Sequence, residues 1–178
     1  EITTGATITI TADAKSKVYG EADPTLTYTS LATIDNPELL TGNLTRVAGE
    51  DVGSYTITST LSHPNYTFNF VSANLEITRK PITVTAASKA KTFGDADPVL
   101  TFTTSPALIG SDVLSGNLTR DLGENVGTYT INQGTVDNSN NSNYNITYVS
   151  ANFEITTGAT ITITADAKSK VYGEADPT

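Results

Sequence analysis

The residues in this chain whose spacing most resembles a site for chemistry are pairs of acids held between a glycine and a proline. Gly20-Glu21-Ala22-Asp23-Pro24 and Gly94-Asp95-Ala96-Asp97-Pro98 each place two carboxylates in one short loop, and Gly173 to Pro177 repeats the first. Carboxylate oxygens brought together in a loop are ligands for Ca²⁺, so Glu21, Asp23, Asp95 and Asp97 are the metal candidates. The ligand rhythm of an EF-hand and the nonapeptide of a calcium β-roll are both missing around them. A turn is the preferred reading: Gly permits its backbone, Pro fixes it and Asp caps it. No cofactor other than this calcium is expected.

The remaining candidates read the same way. Arg46 and Arg120 each stand four residues before Glu50 and Glu124, and an ion pair pinning a loop is preferred over a clamp for an anionic ligand. Gly49 to Gly53 lacks the Lys-Ser/Thr and the helix of a phosphate loop, which leaves a hairpin turn. His63 stands in a loop that the second copy of the surrounding pattern replaces, with no Ser/Asp constellation near it. Tyr55, Tyr66, Phe68 and Phe70 could form a sugar-stacking platform, but they fall on alternate strand positions and are read as core. Thr7-Ile8-Thr9-Ile10-Thr11 has the look of an ice-binding ladder, yet it occurs once per copy, so an exposed strand face is expected. No catalytic residue is identified and no enzyme activity is expected.

Composition narrows the class. With 178 residues, no Cys, no Met, no Trp and one His, the chain can hold no disulfide framework, thiol nucleophile or multi-His metal site. The net charge of −9 offers no basic footprint for phosphates, so nucleic acid is not expected as a partner. No run approaches the ~18 apolar residues of a spanning helix. Opening at Glu1 without a signal-peptide pattern, the chain reads as an excised or processed piece. Thr is abundant and suits a pleated, half-wet surface, whereas the many Asn and Ser favour turns. The chain reads as all-β.

Internal repetition organises it. Lys17-Val18-Tyr19-Gly20 returns as Lys91-Thr92-Phe93-Gly94, Gly42 to Arg46 as Gly116 to Arg120, and Gly49 to Ile57 as Gly123 to Ile131, all at an offset of 74 residues. After an insertion near Asp137 to Ser142, Val71 to Asn74 returns as Val149 to Asn152 at an offset of 78. Residues 154–178 are identical to residues 1–25. The expected division is therefore 1–5 as the end of a preceding repeat, 6–79 and 80–157 as two whole repeats, and 158–178 as the opening of a third. Too short to bury a core, that last piece is expected to be incomplete alone. A window on a longer array is preferred over a subunit whose end strand completes its neighbour.

Within a repeat, strands show as period-two alternation: Ile8 and Ile10, Leu26 and Tyr28, Tyr55 and Ile57, then Tyr66, Phe68 and Phe70. The phase then flips to Val71, Ala73, Leu75 and Ile77, and Val71 to Asn74 is read as a tight connection between the last two strands. Pro37 to Leu40 suggests one helical turn. The expected fold is a pair of tandem Ig-like β-sandwiches of about seven short strands each, with a β-grasp-like sheet as the alternative. Short junctions, at Arg79-Lys80-Pro81 and at Thr157-Gly158-Ala159, predict a semi-stiff rod, the second able to bend more.

The combination of Tyr19-Gly20-Glu21-Ala22-Asp23-Pro24, Leu40-Thr41-Gly42, Arg46, Gly49 to Tyr55 and Asn65-Tyr66 resembles the MBG-type (YGX) repeats of very large bacterial surface adhesins. Repeat two departs from it with Phe93 in place of the motif's Tyr. The resemblance implies an exported, extracellular, cell-surface stalk or filament, such as the giant adhesins of gliding Bacteroidetes, and it carries over no catalytic residue. The function expected is to project a binding tip from the cell. Its partners would be neighbouring repeats of the same chain, with lateral self-association into a filament. The alternative is that the repeats themselves bind glycan or host or matrix protein.

Overall fold

The structure is a computed structural model and describes residues 5–178. The expected end of a preceding repeat, residues 1–5, lies outside the described residues except for Gly5. The chain is all-β. Repeat one contributes β1 (Thr7–Ala12), β2 (Lys15–Val18), β3 (Tyr28–Ser30), β4 (Leu44–Arg46), β5 (Gly53–Ser59), β6 (Thr67–Val71) and β7 (Asn74–Thr78). Repeat two contributes β8 (Lys80–Ala86), β9 (Lys89–Thr92), β10 (Phe102–Ser105), β11 (Thr119–Arg120), β12 (Gly127–Asn132), β13 (Tyr144–Val149) and β14 (Ala151–Thr156). Each repeat holds a three-stranded and a four-stranded sheet in a sandwich-like arrangement, ordered β3-β1-β6 and β2-β7-β5-β4 in repeat one, β10-β8-β13 and β9-β14-β12-β11 in repeat two.

The two sheets are joined by the same two chain segments, β1–β2 and β6–β7. β1 runs parallel to β6 with Ile8 opposite Phe68, and β2 runs parallel to β7 with Lys15 opposite Leu75, so the register offset is 60 residues on both sides of the break. The first and last segments of the repeat thus lie side by side along their whole length and pass together from one sheet to the other. Val71 to Asn74 is the tight connection expected between the last two strands, and it carries the chain from one sheet to the other. The chain does not reverse there, and Ala73 still offers its carbonyl to the Ile57 N–H at 2.8 Å. The phase flips because the inner faces of two stacked sheets look in opposite directions, so a strand that changes sheet must turn its other side inward.

Alternation places part of its predicted set in the core; Tyr55, Tyr66, Phe68 and Phe70, read as core, are only half-buried, and Val71 is exposed where the chain changes sheet. Ile8, Ile10 and Ala12 from β1, Ile57 from β5, and Leu75 and Ile77 from β7 are buried in repeat one. In repeat two the core gathers Ile82, Val84, Ile131, Val136, Phe153 and Ile155 with their neighbours. The predicted helical turn is a 3-10 turn over Pro37–Leu39, entered through Asn36 at φ 52°. Its counterpart Gly110 has φ 55°, a left-handed conformation that Gly and Asn tolerate best.

Residues 158–178 carry the same sequence as 5–25 and form no strand. Ile8 and Ile10 are buried, whereas Ile161 and Ile163 are exposed. What survives is local. The Glu174 N–H donates to Val171 O at 3.1 Å, as the Glu21 N–H does to Val18 O at 3.0 Å, and Gly173 keeps φ 87° against 84° at Gly20. Lys170 still pairs with Asp176 at 2.6 Å. The turn is encoded by its own residues, and the strands exist only where β3, β6 and β7 are present to pair with them. Ile10→Ala is expected to destabilise repeat one by about 3 kcal/mol, while Ile163→Ala in the identical segment shifts stability by less than ~0.5 kcal/mol. Denaturant unfolding of the two variants side by side checks this.

Candidate functional site

Four charges from four places in each repeat meet in one clasp. β2 carries Lys17 on its inward face, β4 ends at Arg46, the acidic loop supplies Asp23 and the β4–β5 hairpin supplies Glu50. Arg46 grips Asp23 with both arms, Nε to Oδ2 at 2.6 Å and Nη2 to Oδ1 at 3.0 Å. Lys17 Nζ reaches Asp23 at 2.7 Å and Glu50 at 2.5 Å, and Arg46 Nη2 donates to Glu50 at 2.5 Å. The remaining Arg46 nitrogen donates to the carbonyls of Val47 at 3.0 Å and Gly49 at 2.5 Å. Repeat two rebuilds the clasp from Lys91, Asp97, Arg120 and Glu124, with Arg120 Nε to Asp97 at 2.6 Å and Lys91 bonded to both acids.

The cations are inside and the acids outside: the Lys17 and Arg46 side chains are 3% and 9% exposed, those of Asp23 and Glu50 39% and 68%. Arg46 also lies over the Tyr55 ring at 5.2 Å. That ring covers Gly49, where a Cβ would sit 2.1 Å from ring carbon Cε1, and the Tyr55 hydroxyl donates to Asp51 O at 2.8 Å. The Gly-Glu-Asp-Val-Gly-Ser-Tyr motif is thus a hairpin folded back under its own tyrosine. Arg46, then Lys17, hold the Asp23 carboxyl down at about 2, and Arg120, then Lys91, do the same for Asp97. Burial opposes the charge on Lys17, but its hydrogen bonds to Asp23 and Glu50 outweigh it and raise its pKa.

The paired acids of each loop are therefore turned to different work. Asp23 and Asp97 face the clasp, Glu21 accepts the Val18 N–H at 3.1 Å, and Asp95 stands exposed on its turn. Among the described residues no three His, Asp or Glu side chains converge as metal ligands would. His63 is buried with both ring nitrogens engaged: Nδ1 accepts the Asn65 N–H at 3.2 Å, which leaves Nε2 to donate to Asn36 O at 3.2 Å. In its place repeat two has buried Asn141, which accepts from Ser115 N and donates to Ser115 O and Asp137 O.

A second cluster lies between the repeats. The Tyr19 hydroxyl donates to Asp112 Oδ2 at 2.8 Å, and the Tyr144 hydroxyl donates to the same oxygen at 2.6 Å. The two rings meet edge to face, 5.6 Å between centroids. Beside them Asn143 accepts the Val52 N–H at 3.0 Å and donates to Asp51 at 2.8 Å. Gly20 rests against Ile109, where a Cβ would come within 2.5 Å of the isoleucine. Burial and the Asp112 carboxylate push the Tyr144 phenol up to about 12.

Both repeats match one family description, the MBG domain (YGX type), over residues 8–76 and 82–154. The chain belongs to the MBG domain family of YGX type. No curated protein matches it. In the first of these MBG repeats the Tyr-Gly of the family pattern serves the joint: Tyr19 crosses to the next repeat and Gly20 lets the neighbour approach. Sequence reasoning placed Arg46 and Arg120 in ion pairs with their glutamates, but missed Lys17, Lys91 and the whole inter-repeat cluster. A lysine on the buried phase of a strand, present at 17, 91 and 170, was the available signal for the first. For the second there was none, since Tyr19 and Asp112 are 93 residues apart.

Because folding lowers the pKa of Asp23 and Asp97, the clasp contributes fully above about pH 4 and is lost as pH falls from there toward 2. Both carboxylates are more than a third exposed, so the loss is expected to be only on the order of 1 kcal/mol per repeat. Denaturant titrations at pH 5 and pH 2.5 should show it, and D23N with D97N should flatten that slope.

Proposed function

We propose that this chain is a spacing element of an exported cell-surface adhesin, in which tandem MBG repeats hold a binding tip away from the cell. The observation that carries this reading is the joint of Tyr19, Asp51 and Val52 with Asp112, Asn143 and Tyr144. Side chains that could have met a ligand are used to fix one repeat against the next. Between β7 and β8 only Arg79 is outside a strand, and Pro81 has a fixed φ. Relative motion is the default for linked domains, and a joint of this kind restrains it.

Other features agree. The clasp ties charged residues to each other rather than to solvent-borne partners. Tyr55, Tyr66, Phe68 and Phe70, which a glycan-binding repeat would display, are half-buried. The acidic surface keeps many parallel copies apart in solution. Export to the cell surface is part of the proposal, and labelling of intact cells by antibodies against the repeats tests it directly.

Removing the joint should separate it from folding. Tyr19→Phe with Asn143→Ala is expected to leave the secondary structure of both repeats intact while the two tumble with measurably different correlation times by NMR relaxation. Unchanged common tumbling in this variant would argue that the joint does not set the spacing.

A further inference from the structure

Repeat two presents, at its far end, the counterpart of the face that repeat one uses to grip it. Phe93 and Gly94 correspond to Tyr19 and Gly20, and Asn125 and Val126 to Asp51 and Val52. Phe93 and Val126 are each 53% exposed, whereas Tyr19 and Val52 are half-buried in the joint. The chain leaves repeat two beside this face, with Gly158 lying 3.4 Å from Phe93 O when given a Cβ. It then restates the opening of repeat one.

Repeat one carries the matching receiving face. Glu38 stands where repeat two has Asp112, Asp35 where it has Ile109, and Asn65 and Tyr66 where it has Asn143 and Tyr144. This face is at the point of chain entry, since a Cβ on Gly5 would fall 1.7 Å from Asn65 O. It is also less covered: Tyr144 is 4% exposed and Tyr66 only half-buried, with its hydroxyl turned to Asp35 at 3.2 Å.

We propose that the Phe93–Val126 face docks onto a repeat-one-type unit following residue 157, and that this second joint is looser than the first, so that firm and compliant joints alternate along the array. This rests on the spacer reading and deepens it. Phe93 has no hydroxyl to give Glu38, so the bond that anchors Tyr19 to Asp112 has no equivalent. Asp35 replaces the isoleucine on which the glycine packs. From the last core isoleucine of one repeat to the first of the next, the chain covers Ile77 to Ile82 at the first joint and Ile155 to Ile161 at the second, one residue more and without the proline. Gly158 adds backbone freedom that Arg79 in the same position lacks.

The test uses a three-repeat array in which Thr178 is followed by a second copy of residues 26–79. The chain has no native cysteine, so paired spin labels can be placed at will, at exposed Thr58 and Thr147 and at the third repeat's copy of Thr58. The distance distribution between repeats two and three is expected to be about twofold wider than between one and two. F93Y and N125D, with Glu38→Asp in the third repeat, should narrow it. A disulfide between N125C and Asn65→Cys of the third repeat should form on oxidation, with D51C and N143C as the reference pair. Equal widths at the two joints, a width the three substitutions leave unchanged, or no cross-link where the reference pair forms one would overturn the proposal. A broad distribution at the first joint would instead overturn the spacer reading itself.

Discussion

The parallel pairing of the first and last segments is the constraint on which each repeat depends. β1 and β2 take their partners from β6 and β7, some 60 residues later, so neither sheet is complete until nearly the whole repeat is present. That is costly in loop closure and slow in folding terms, but it fixes polarity. Two parallel strands place the entry of the chain at one end and its exit at the other, separated by at most roughly 36 Å along residues 7–18. Antiparallel pairing would have put the two ends together and folded successive repeats back on each other. The same pairing puts Tyr19 at the exit, its N–H donating to Thr78 O at 2.8 Å, beside the start of repeat two. The joint is therefore a consequence of strand direction.

The clasp solves a different problem. Each repeat is small and cannot spare apolar residues for every inward position of its short strands. Lys17 and Lys91 occupy such positions, and their stems cover apolar surface while the ammonium groups reach the acids outside. A buried cation stripped of one partner is costly, whereas a fully satisfied one need contribute little net stability. Its value here is connection: one bidentate arginine joins the end of β4 to the acidic loop after β2 and to the hairpin before β5. The acidic loop, which lies outside the strand ladders, is thereby held against the β4–β5 hairpin, in both repeats and with nearly equal distances.

Much of this was legible in the sequence, and the limits have physical causes. Alternation found the buried faces of β1, β5 and β7 and the half-buried face of β6 because a half-wet sheet leaves a period of two. The repeat offsets pointed to tandem copies of one all-β unit, and the arginine four residues before a glutamate suggested the loop pin. The strand crossing between sheets was visible as a phase flip, but alternation reports only which side is inward and not whether the chain reverses. A bend and a turn leave the same trace. Lys17 was passed over because a lysine next to a glycine loop is ordinarily solvated. Partnerships between repeats, such as Asp51 with Asn143, are set by how two folded units meet, and local pattern carries no information about that.

Where the two repeats differ follows from the same logic. The clasp residues are the same in both copies: lysine, aspartate, arginine and glutamate at matching positions. The changes at Tyr19 and Phe93, Asp51 and Asn125, Asp35 and Ile109, and Glu38 and Asp112 fall on the faces that meet a neighbour. Substituting a clasp residue strands a buried charge within its own repeat, so those positions have little freedom. A joint residue answers only to the surface opposite it, and a change there can be matched or left unmatched without unfolding either unit. Two copies whose cores differ at Ile10 and Val84 and at Leu75 and Phe153 therefore keep one clasp, while the differences at their ends determine how each is held by the next.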